Sequence, residues 1–123
     1  MNKRVAILAG LALASTVPAF ADTIDVLYKN TLTLTDTRGG VYTILVSEDG
    51  KMEQTNSAGA WASGAWDMDG GRFCWTARGA AKLCIPMEAD KQVGGTWEIR
   101  GPTGQLSWTA AFVEGRAKLR EDQ

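Results

Sequence analysis

Thr31-Leu32-Thr33-Leu34-Thr35 alternates polar and apolar positions with a period of two, the spacing that sends successive side chains to opposite faces of a β-strand. Val41 to Ser47 is rich in β-formers, and Gly39-Gly40 between the two segments reads as a hairpin turn that aligns Leu34 with Leu45. Asp49-Gly50 predicts a tight turn into a strand over Lys51 to Thr55, and Asn56 to Gly59 is small and polar enough for a loop.

Further along, one pattern occurs twice. Gly64-Ala65-Trp66-Asp67-Met68 followed by Phe73-Cys74-Trp75-Thr76-Ala77 matches Gly95-Thr96-Trp97-Glu98-Ile99 followed by Leu106-Ser107-Trp108-Thr109-Ala110. A two-residue turn at Gly70-Gly71 sets Asp69 opposite Arg72, Met68 opposite Phe73 and Trp66 opposite Trp75. A four-residue turn over Gly101-Pro102-Thr103-Gly104 sets Arg100 opposite Gln105, Ile99 opposite Leu106 and Trp97 opposite Trp108. Each hairpin then carries an apolar pair and a Trp pair on one face and polar residues on the other.

The expected fold is all-β, an antiparallel meander of about eight short strands. Such a sheet buries its apolar face by rolling into an up-and-down barrel or by curling into two packed layers. Helical periodicity is lacking between Asp22 and Gln123, apart from a turn expected from Met87 to Lys91 after Pro86.

The N-terminus has the three zones of a secretory signal: the basic pair Lys3 and Arg4, an apolar run from Val5 to Ala14, and small residues flanking Phe20 in Ala19-Phe20-Ala21. The apolar run is too short to span a bilayer. Cleavage is expected between Ala21 and Asp22, which divides the chain into a signal peptide over 1-21 and a single β domain over 22-123 without a transmembrane segment. The expected location is periplasmic or secreted. Losing Lys3 and Arg4 takes the 13 basic residues to 11 against 14 acidic ones, a formal charge of -3. That balance argues against nucleic acid as a partner. The charged tail from Arg116 to Asp122 reads as a solvated end.

An exported chain of this size normally pairs its cysteines. Cys74 and Cys84 are centred on Gly79, so a hairpin through Arg78-Gly79-Ala80 sets them opposite each other, with Trp75 opposite Leu83 on the other face. A disulfide closing so short a loop stabilises a small domain by roughly 3 kcal/mol in the chain-entropy model. The pair does not have the C-x-x-C spacing of redox sites.

Gly64-x-Trp66 followed by Phe73-Cys74-Trp75-Thr76 and Cys84 resembles a pattern in uncharacterised small secreted β proteins of bacteria, over about a quarter of the chain. The succession of strands with Gly-x-Trp motifs is also similar in architecture to eight-stranded barrels of the lipocalin and streptavidin type, and to barrels that inhibit bacterial metalloproteases. In those families the Gly-x-Trp opens the first strand, whereas here it stands twice in mid-chain, so the likeness implies a barrel and transfers no ligand-binding residue.

Chemistry narrows the function further. The chain contains no histidine, which removes Ser-His and Cys-His nucleophile systems. Asp67 and Asp69 beside Arg72 suit a turn ion pair better than a carboxylate couple across a cleft, and Asp67-x-Asp69-Gly70 lacks the later ligands of a calcium loop. No catalytic residue, metal ligand or cofactor is expected, and the protein is not expected to be an enzyme. Trp66, Trp75, Trp97 and Trp108 are expected in the core or lining a pocket. Trp61, set among Ala60, Ala62, Ser63 and Gly64, is the candidate contact for a partner or ligand. The leading expectation is a non-catalytic exported binding protein of the bacterial envelope that contacts another envelope or extracellular protein. A carrier holding a small apolar ligand inside a barrel comes second, and a purely structural envelope protein third.

Overall fold

A computed structural model describes residues 18-88 and 92-120. The basic pair and apolar run of the expected signal lie outside the described residues. Among the described residues, one helix, α1 (Pro18–Lys29), precedes eight strands: β1 (Thr31–Asp36), β2 (Val41–Val46), β3 (Lys51–Thr55), β4 (Trp61–Asp69), β5 (Arg72–Ala77), β6 (Leu83–Pro86), β7 (Thr96–Arg100) and β8 (Leu106–Val113). The strands form one antiparallel sheet in the order β6-β5-β4-β3-β2-β1-β8-β7, a meander that nearly closes into a barrel. First and last strands are laddered together from Thr31 opposite Val113 to Asp36 opposite Trp108. The seam therefore falls between β6 and β7, where the Trp97 indole N–H donates to the Pro86 carbonyl oxygen at 3.2 Å.

Four hairpin connections share one build, over Asp36–Gly40, Ser47–Lys51, Asn56–Ala60 and Gly101–Gln105. In each, the first residue's N–H donates to the fifth carbonyl, and the N–H of a glycine at the fourth position donates to the first carbonyl. Gly39, Gly50, Gly59 and Gly104 hold φ between 83° and 87°, a left-handed conformation that closes the loop and costs an L side chain about 1 kcal/mol or more. Asp36 and Asn56 reinforce their loops by accepting backbone N–H bonds on their side-chain oxygens.

This loop corrects two of the expected registers. Gly39-Gly40 is not the centre of a two-residue turn: Gly40 already pairs with Asp36, so Leu34 faces Tyr42 instead of Leu45. The slip of three positions moves Leu45 to the outer face. In the second Trp hairpin, a three-residue loop and a bulge between Ile99 and Arg100 each add one position. Ile99 then faces Trp108, and Trp97 faces Ala110. The first Trp hairpin keeps the expected register, with Trp66 opposite Trp75 and Asp69 opposite Arg72 across Gly70-Gly71. Cys74 faces Cys84 and the two form a disulfide, with Trp75 opposite Leu83 on the other face.

Helix α1 is a second departure from expectation. Thr23 and Leu27, one helical turn apart, are both fully buried, and Val26 and Tyr28 pack against the core. Only about two turns of periodicity mark this face in the sequence, too little to stand out beside the expected cleavage site. The helix ends at Asn30, whose Nδ2 donates to the Val26 carbonyl while Oδ1 accepts the Gly115 N–H. It crosses the barrel end formed by the start of β1 and the end of β2, and Thr23 reaches the Glu88 carbonyl at 3.4 Å. Ala21 and Asp22, the expected cleavage pair, lie within the helix. Of the turn expected over Met87 to Lys91, Met87 and Glu88 are not helical and the rest lies outside the described residues.

Inward-facing positions form one continuous core that includes Leu32, Leu34, Ile44, Val46, Met52, Phe73, Ile85 and Phe112. Aromatic rings run through it in a chain from Tyr28 of the helix to Trp66, Phe73, Trp75, Trp108 and Tyr42, with neighbouring centroids 5.3 to 6.4 Å apart. Trp97 packs edge-on against Phe112. The one polar side chain that points into this core from β3, Gln54, accepts the Trp75 indole N–H at 3.1 Å. That bond offsets the desolvation of both groups.

A basic groove on the outer face as candidate functional site

Outward-facing side chains of β2 to β5 line up in rows set by the ladder. Leu45 lies beside Glu53, Glu53 beside Ser63, and Ser63 beside Arg78; one row away Lys51 lies beside Ala65 and Ala65 beside Thr76. The middle of this surface is low because Ser63, Gly64, Ala65 and Thr76 are small. Gly64 makes the close approach possible: a Cβ there would collide with the Thr76 carbonyl oxygen and stand 2.9 Å from the Ala77 Cα. Strand β4 thereby passes from its pairing with β3 to its pairing with β5 at a tight corner.

The C-terminal segment walls one side. Its charged residues Arg116, Lys118 and Arg120 are exposed, as expected, but the segment is anchored: after Val113 the chain folds back over the outer face. Thr31 Oγ1 donates to the Gly115 carbonyl at 2.7 Å and accepts the Ala117 N–H at 2.9 Å. Arg116 donates to the carbonyl oxygens of Tyr28 and Val46, at 2.6 and 2.9 Å, and so ties the helix end to the end of β2. Beyond it the Arg120 guanidinium lies 4.0 Å from the centre of the Trp61 ring, a cation–π contact. The cover explains why Leu45, on the outer face, is only 3% exposed. The run Ile44-Leu45-Val46, apolar on both faces, is the sequence signal for such a second layer.

The resulting groove has a volume of about 780 Å³. Trp61 stands at one end, half-buried, with its indole N–H donating to Glu53 at 3.0 Å. Lys51, Arg78, Arg116 and Arg120 contribute four cations against the single carboxylate of Glu53. Counting also Asp49, which pairs with Lys51 at 3.9 Å, the surplus is two positive charges in a chain whose formal net charge is -1. At the Lys51 end, the Ser47 hydroxyl donates to Asp49 at 2.7 Å and holds its carboxyl below the usual carboxylate range, with the Lys51 N–H adding to the effect. Burial pushes the Tyr28 phenol up, with the charges of Glu48 and Asp25 acting in the same direction.

Of the residues singled out in the sequence, Trp61 alone lines this groove. Trp75 and Trp97 are buried in the core, and Trp66 and Trp108 pack against it. Cys74 and Cys84 lie on the outer face as a structural cross-link. Asp69 and Arg72 form an exposed pair at 3.4 Å at the hairpin tip. Lys51, Arg78, Arg116 and Arg120 escaped the sequence argument because strand pairing and the folded-back tail bring them together from distant positions. Among the described residues, no helix is long and apolar enough to cross a membrane, and no three His, Cys, Asp or Glu side chains cluster as a metal site. Comparison with protein-family models, with curated proteins and with solved structures found no match for this chain.

Proposed function

We propose that this protein is a non-catalytic binding module exported to the bacterial periplasm or medium, and that the groove beside Trp61 is its contact surface. The observation that supports this most strongly is the concentration of four cations and a half-buried tryptophan around a low floor of small side chains, on a chain of opposite net charge. Such an arrangement offers an anchor and directional hydrogen-bond donors on a rigid sheet. The disulfide and the N-terminal pattern of charge, apolar run and small residues support export. A contact with another envelope protein, in the manner of an inhibitor or recognition module, fits this surface better than a carrier role. The inward side chains make one continuous cluster that takes up the space an apolar cargo would need.

The test is a pull-down from envelope extract with the oxidised protein lacking residues 1-21, run beside a Trp61→Ala variant and read by mass spectrometry. One dominant partner, retained by the parent and lost by the variant, is the expected result. Equal recovery by both would remove Trp61 from the contact, and a small molecule co-purifying in native mass spectra would favour the carrier instead.

A further inference from the structure

Resting on the binding role just proposed, we infer that the groove accepts an acidic polypeptide segment in extended conformation. The ladder places Lys51 toward one end of the groove and Trp61 and Arg78 toward the other, so its long direction follows β3 and β4. A ligand lying along it meets cations at both ends. Arg78 makes no ion pair or side-chain hydrogen bond among the described residues, and its exposed guanidinium offers a fork of donors to a carboxylate. Among the described residues Lys51 Nζ pairs with Asp49 alone, at 3.9 Å and largely in solvent. The floor between them presents the hydroxyls of Ser63 and Thr76 and the methyl of Ala65, which suit the backbone and short aliphatic stems of a peptide.

Two features favour a polypeptide over an anionic polysaccharide. Sugar recognition commonly needs an open aromatic face, and the Trp61 ring already carries Arg120 at 4.0 Å. The floor also offers only the two hydroxyls of Ser63 and Thr76, whereas a run of sugar rings needs partners for hydroxyls along its whole length. The volume of about 780 Å³ falls in the range of built ligand sites. Glu53 and Asp49 do not cancel the positive field, because they are two charges against four and the Glu53 carboxylate already accepts the Trp61 indole N–H.

The experiment uses the oxidised protein lacking residues 1-21 and follows binding by calorimetry and by amide chemical shifts. The probes are a short peptide of alternating Glu and Ala, the same peptide with Gln for Glu, and polygalacturonate. The Glu peptide is expected to bind, to shift the amides of Ser63, Ala65 and Thr76, and to weaken about tenfold with Arg78→Gln. Affinity should also fall as salt rises from about 0.05 to about 0.5 M. Arg72→Gln, which removes a cation at a hairpin tip away from the groove, should bind as the parent does. Unchanged melting of Arg78→Gln shows that it is folded, since its backbone bond from Arg78 N–H to the Ser63 carbonyl survives the substitution. Binding of polygalacturonate without binding of the Glu peptide overturns the polypeptide inference. Equal binding of the Glu and Gln peptides overturns its charge basis. If neither anionic probe binds while the envelope pull-down still depends on Trp61, the acidic ligand is wrong and the binding role stands; if the pull-down fails as well, both fall.

Discussion

Gly64→Ala isolates the closest backbone approach in the barrel. Gly64 is not among the left-handed glycines, so alanine is not excluded by φ. The obstacle is contact: the added Cβ runs into the Thr76 carbonyl and stands 2.9 Å from the Thr76 carbonyl carbon and the Ala77 Cα, atoms that belong to a laddered strand and cannot rotate away. Overpacking of this kind costs about 1–3 kcal/mol, and a rigid neighbour sets the value near the upper end. Prying β4 from β5 also weakens the adjacent bond from the Arg78 N–H to the Ser63 carbonyl, worth about 1 kcal/mol. The entropy that alanine removes from the unfolded chain returns up to about 1 kcal/mol. The net loss is about 2–3 kcal/mol, which lowers the melting temperature of a domain this size by about 10–20 °C. Calorimetric melting of the oxidised protein measures it, beside Gly59→Ala, where a Cβ meets nothing within 4 Å and only the φ of 83° is penalised. A Gly64→Ala melting point within about 3 °C of the parent would refute the account of the corner.

Gln54→Leu keeps a buried side chain of similar size but leaves the Trp75 indole N–H without its acceptor; a loss of about 1–3 kcal/mol in urea unfolding is expected, and no loss would mean that the bond is dispensable. Ending the chain at Gly115 removes Arg116 and the cover of Leu45, with an expected loss of about 1–2 kcal/mol and about 5–15 °C in melting temperature; a shift below about 2 °C would show that the tail is only loosely laid on. Because its folded value is depressed, ionised Asp49 favours the fold above its unfolded value, and that contribution disappears as pH falls through the folded one. Ser47→Ala should therefore move the Asp49 side-chain carboxyl titration, followed by NMR, upward toward the ordinary 3.8; an unmoved midpoint would dismiss the hydroxyl as its cause.

The meander, the first Trp hairpin and the disulfide pairing were legible because each rests on local signals: period-two alternation, Gly70-Gly71, and two cysteines centred on Gly79. Two registers were not, because Gly39-Gly40 and Gly101 to Gly104 do not state which glycine takes the left-handed position, and the bulge at Ile99 leaves no mark of its own. Leu45 carried the missing information, since an apolar residue on the polar face of β2 requires something to cover it. Trp61 stood out through its small neighbours, whereas Arg116 and Arg120 read only as surface charge until the Tyr28 and Val46 carbonyls and the Trp61 ring supplied their anchors. The groove is a tertiary product, and only its aromatic end had a local signature.

The ladder between the first and last strands also bears on when the domain can form. Thr31 bonds a carbonyl 84 positions away, and closing a loop of that length costs about 2.5 kcal/mol more than closing a five-residue hairpin. Hairpins within β2 to β6 can close as soon as their own residues are free. The first strand, its helix and the groove wall must wait until β8 and the segment over Arg116 to Arg120 are free as well. Native closure therefore comes late in the order of assembly, and until then the hairpins of β2 to β6 stand as an open sheet whose edge strands still have unpaired backbone groups.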